Sequence, residues 1–137
     1  MTNEDYVPLD LGRLLKEKGF NEPCRGCYSW ETDEDDNDYV ELSQWIQGPR
    51  DNSTVDDSFI CSAPTLQEVC KWLREKYDIY IYSGVVQSMT ITFDQKYYYP
   101  VVNIHRRRKI CKELEQTCGT PEEAINVAIR YTLENLI

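Results

Sequence analysis

Cys24-Arg-Gly-Cys27 has the plainest chemical spacing in the chain. Two thiols separated by two residues can turn onto one metal ion or onto each other, as in zinc knuckles and thiol redox motifs. A structural zinc takes four ligands. The chain has no second C-x2-C and no H-x3-H, so Cys61, or Cys111 and Cys118 with His105, complete a set only if folding gathers them. A redox pair normally opens a helix after a strand, where the helix dipole lowers the thiol pKa, whereas Cys24 to Trp30 reads as strand. The six cysteines are therefore read first as reduced structural thiols, with Cys24 and Cys27 as weak metal candidates and a redox role third. No metal and no cofactor are expected.

The segment Glu31 to Asp38 places six carboxylates in eight residues. Asp33, Asp35 and Asn37 match the first three ligand positions of a calcium loop. Asp38 stands where that loop needs glycine and Gln44 where it needs a bidentate glutamate, so an exposed, mobile acidic loop at 31–38 is the stronger expectation. The only basic cluster is His105-Arg-Arg-Arg-Lys109, and it follows Tyr97-Tyr-Tyr99. Rings that stack on bases beside cations that track phosphates are what single-stranded nucleic acid binding uses. Tyr97, Tyr99, Arg106, Arg107, Arg108 and Lys109 are therefore the candidate nucleic-acid contacts. Neighbouring tyrosines on one strand alternate sides, so not all of them can face one ligand, and the arginines have the acidic loop as another partner.

Catalytic signals are sparse. His105 is the single histidine, there is no glycine-rich phosphate loop or nucleophile elbow, and a dyad of His105 with a cysteine would require long-range folding. The net charge of −9 opposes broad attraction to nucleic acid or anionic membranes and favours solubility or a basic partner. No run is long enough to span a bilayer, and Met1 to Pro8 is acidic rather than signal-like, so the reading is cytoplasmic with no membrane partner. A chain of 137 residues fits a single domain, 1–137, that needs no disulfides.

The elements that would position these residues are clearest around Thr65. Thr65 and Glu68 have the spacing of a capping box, and Leu66, Val69, Cys70, Leu73 and Tyr77 then fall on one face of a helix reaching Tyr77. Thr120 at the N-cap, Pro121 at N1 and Glu123 at N3 open a last helix. Ala124, Ala128 and Tyr131 lie on its apolar face, and Asn126, Arg130 and Glu134 form its wet stripe. Leu11, Leu14 and Leu15 mark a short first helix ending at Gly19, with Phe20 placed to touch Leu15.

Cys24 to Trp30 and Tyr39 to Ile46 read as a hairpin, 47–57 as a polar loop and Ser58 to Cys61 as a short strand. Period-two alternation runs from Ile79 to Phe93, Asp94-Gln-Lys96 reads as a hairpin loop and Tyr97 to His105 as its second strand. Pro100 puts that strand at an edge or a bulge. Lys109 to Cys118 is open between helix and extended chain. The fold class is α+β: an antiparallel sheet of about four to six strands, two main helices on one face and a short N-terminal helix at the sheet edge.

The blocks Lys16 to Cys24, Ser62 to Tyr77, Thr120-Pro-Glu-Glu-Ala124 and Glu134-Asn-Leu-Ile137 together resemble a group of small uncharacterised proteins from gut anaerobic bacteria and their prophages. The resemblance implies a compact intracellular domain of a mobile element and carries no active-site residue. The expected function is a non-enzymatic protein-interaction domain with an unknown protein partner. Single-stranded nucleic-acid binding and an acidic decoy that occupies a basic protein are the alternatives.

Overall fold

The structure is a computed structural model that describes residues 5–89, 94–104, 110–114 and 116–137. The chain forms two compact units, Met1–Glu68 and Val69–Ile137, and the division falls in the first turn of a helix. The class is α+β, with three helices among the described residues.

In the first unit, α1 (Leu9–Glu17) leads to β1 (Gly26–Thr32), β2 (Asp38–Gln44) and β3 (Phe59–Ser62). The antiparallel sheet has the order β2-β1-β3, and α1 packs against β3 at its edge. Gly19 follows α1 with φ 90°, the left-handed turn that glycine adopts without a Cβ penalty. The Phe20 N–H donates to the Leu15 carbonyl at 2.9 Å and the Gly19 N–H to the Lys16 carbonyl at 3.2 Å, so the helix closes with the Schellman ending expected from Gly19 and Phe20. Phe20, Leu11 and Leu15 are buried. Asn52 ties the loop before β3 to this ending, donating to the Phe20 carbonyl and accepting from the Ser62 N–H.

The second unit holds most of α2 (Leu66–Tyr77), then β4 (Ile79–Met89), β5 (Asp94–Ile104), β6 (Ile110–Glu113) and α3 (Pro121–Asn135). Its antiparallel sheet has the order β4-β5-β6. The capping box at α2 is complete: the Glu68 N–H donates to Thr65 Oγ1 at 3.2 Å and the Thr65 N–H to Glu68 Oε1 at 3.0 Å. Leu66, Val69, Cys70 and Leu73 are buried and Tyr77 is half-buried. Trp72 is buried as well and meets Tyr77 edge-on. At α3, Thr120 Oγ1 accepts from the Glu123 N–H, but the Glu123 carboxylate turns back to the Gly119 N–H. The buried stripe of α3 is Ala124, Ala128, Ile129, Thr132 and Leu133. Of the expected wet stripe only Glu134 is exposed, with Asn126 and Arg130 half-buried.

Several expectations are corrected. The described strands form two three-stranded sheets rather than one of four to six, because alternation shows which way side chains point and not which strand lies alongside. Of the two main helices, α3 packs against β4 and β5. Asp94, Gln95 and Lys96 are strand, paired with Met89, Ser88 and Gln87. Thr90 to Phe93 lie outside the described residues. Lys109 to Cys118, left open between helix and extended chain, is extended where described, as β6 and a bridge from Cys118 to Tyr98. Pro100 sits on the central strand, not an edge. Tyr98 exchanges both backbone bonds with Cys118, and the Pro100 carbonyl accepts from the Leu114 N–H. Tyr98 and Pro100 therefore turn their polar groups to the same side, and the missing donor of Pro100 falls just past the end of β6.

Candidate functional site

Cys27, Ser29 and Glu31 alternate onto one face of β1, while Tyr28 and Trp30 take the other. Tyr28 sends its hydroxyl to the Val7 carbonyl at 2.6 Å. The Cys27 face borders a groove of about 520 Å³, completed by Trp45 and Ile46 after β2, Arg50 and Asp56 in the following loop and Phe59 of β3. Arg50 is held by its backbone, which donates to and accepts from Cys24 at 3.1 and 2.9 Å. Its guanidinium lies 4.6 Å from the Trp45 ring centroid. Trp45 stacks on Phe59 with centroids 6.1 Å apart, and the Lys16 ammonium stands 5.1 Å from the Phe59 centroid. Asp56 accepts from the Ser58 N–H and hydroxyl, and those bonds, with Arg50 nearby, hold its carboxyl below the usual range. The Trp45 Nε1–H is buried with no acceptor among the described residues. Ile46 is 98 % exposed and Val55, beside Asp56, is 99 % exposed.

The two cysteines of the C-x2-C stretch are buried and engaged separately. The Cys24 thiol lies 3.6 Å from the Gly26 carbonyl and the Cys27 thiol 3.4 Å from the Ser43 hydroxyl. Burial pushes Cys24 up to about 11 and raises Cys27 as well. Among the described residues, no three His, Cys, Asp or Glu side chains converge as a metal site would require. The acidic run is exposed, but the loop proper is shorter than 31–38, since Glu31, Thr32 and Asp38 are strand. One Asp33 oxygen accepts from the Asp35 and Asn37 N–H groups, each at 2.9 Å, so the residue in the first calcium position shapes the turn instead.

Among the proposed nucleic-acid contacts, Tyr97 and Tyr99 share a face of β5 with Tyr80 and Tyr82 of β4, as their pairing with Val86 and Gly84 requires. Tyr80 and Tyr82 are exposed, and Tyr97 and Tyr99 are half-buried. The Tyr99 ring lies directly over Gly84, in the space a Cβ there would fill. His105, Arg106, Arg107, Arg108 and Lys109 lie outside the described residues.

Sequence reasoning missed the groove of the first unit. Trp45 and Phe59 sat at the ends of expected strands and Arg50 in an expected polar loop. The pairing of β1 with β2 and β3 brings Trp45 and Phe59 alongside β1, and the long-range bridge of Cys24 to Arg50, which has no local signature, adds Arg50. Among the described residues no helix is long and apolar enough to cross a membrane. No family model, curated protein or solved structure matches the chain.

Proposed function

We propose that the chain is a non-enzymatic protein-interaction domain whose binding surface is the groove of the first unit. The observation that carries this reading is the almost fully exposed side chain of Ile46 on the wall of a groove that also holds Trp45 and Phe59. An exposed apolar side chain beside aromatic anchors is what protein contacts use, since its burial against a partner supplies binding energy. The thiol in the groove, Cys27, is buried, bonded to a serine and raised in pKa, which makes it a poor nucleophile. The resemblance to small proteins of gut anaerobes and prophages adds a mobile-element setting to the reading. A photo-crosslinking residue placed at Ile46 in cells is expected to give a discrete protein adduct that the same group at exposed Glu134 does not give. Equal labelling from both positions, or none from Ile46, would reject the assignment.

The shared face of Tyr80, Tyr82, Tyr97 and Tyr99 favours a second reading, single-stranded nucleic-acid binding. It ranks below the first because Tyr99 is committed to Gly84 and the chain carries a charge of −9.

A further inference from the structure

Every aromatic face described in the groove already meets a cation of its own chain: Arg50 over Trp45 and Lys16 over Phe59. The two cations are held differently. Lys16 also donates to the Ile60 carbonyl at 2.8 Å, which anchors its ammonium to the backbone of β3. Arg50 is fixed through its backbone, while its guanidinium rests against the Trp45 ring in the field of Asp56. Glu31 from β1 and Asp56 from the loop both line the groove, so its carboxylates outnumber the one guanidinium in its wall. The chain as a whole carries −9, which draws cationic partners toward it. A groove of about 520 Å³ takes one or two side chains of an extended segment.

We infer that this groove recognises an arginine side chain on an exposed segment of the partner protein, and that Arg50 is the internal occupant this side chain displaces from Trp45. Arginine ranks above lysine because a planar guanidinium stacks on an indole while its N–H groups still reach carboxylates such as Glu31 and Asp56. The inference rests on the groove being the protein-binding surface and names the chemistry that the surface reads.

The probe is the blocked pentapeptide Ac-Gly-Gly-Arg-Gly-Gly-NH2, with its Lys and Glu counterparts, titrated against the full chain while the Trp45 indole N–H resonance is followed. The arginine peptide should shift that resonance saturably, the lysine peptide less strongly and the glutamate peptide not at all. Arg50→Ala should tighten the arginine peptide by roughly threefold, the competition of one exposed cation–π contact removed. The pair Glu31→Gln and Asp56→Asn should weaken binding at least about tenfold. Glu34→Gln with Asp35→Asn, which removes equal charge from the exposed hairpin turn, should change it little. Loss of arginine binding in Arg50→Ala, preferred binding of the glutamate peptide, or equal weakening by the hairpin-turn pair would each overturn the inference. A persistent Ile46 crosslink with no arginine-peptide shift would overturn it alone, and the absence of both would take the underlying function with it.

Discussion

A thiol removed from water holds its proton more tightly, and Cys24, Cys61 and Cys70 are each pushed from 9.0 to about 11 for this reason. At pH 7 to 8 these groups stay neutral and unreactive in the folded chain. Because the folded value lies above the unfolded one, their contribution to stability is complete below pH 9 and is lost as pH rises toward 11. Thermal midpoints should therefore fall between pH 9 and 11, and iodoacetamide at pH 8 should label Cys24, Cys61 and Cys70 only after denaturation, as read by mass spectrometry. Rapid labelling of Cys24 in the native chain would contradict its burial. Leu73 is a second residue with a definite expectation. It is fully buried on α2, so Leu73→Ala should cost about 2–5 kcal/mol in chemical denaturation.

The elements with local signals formed where their residues placed them. Thr65 with Glu68, Thr120 with Pro121, and Gly19 with Phe20 are each written within a few positions and satisfy helix-end groups close by. Thr65→Ala should lower stability by about 1 kcal/mol through loss of the cap, and Gly19→Ala by a similar amount because φ is 90° there. Circular dichroism melts of the two variants would check both. What the sequence did not carry was partner choice. Cys24 pairs with Arg50 and Pro100 lies in a central strand, and neither follows from alternation or turn residues, since both depend on chain brought from far away. The groove was hidden for the same reason: Trp45, Arg50, Asp56 and Phe59 line it together only after β1, β3 and the loop bearing Arg50 have paired.

For the whole molecule, a charge of −9 sets the field in which any surface acts. Against that field, single-stranded DNA should bind more weakly than micromolar at 0.15 M salt, and changing Arg106 to Lys109 to alanine should leave the result unaltered. If those residues neutralise phosphates, affinity would fall by roughly 0.7 log units per decade of salt for each one, and the four-alanine variant would flatten that slope. The same charge bears on self-association. β2 is an edge strand, and an open edge offers unpaired backbone groups to another copy of itself. The exposed carboxylates of Glu31, of Asp33 to Asp36 and of Asp38 gather where β1 turns into β2, and Glu41 sits on β2 itself. Clustered negative charge there makes docking of a second β2 unfavourable, so the acidic run serves as a gatekeeper against strand-to-strand stacking. The net charge that adds to this repulsion vanishes near pH 4.6, so light scattering should rise there and stay flat at pH 7.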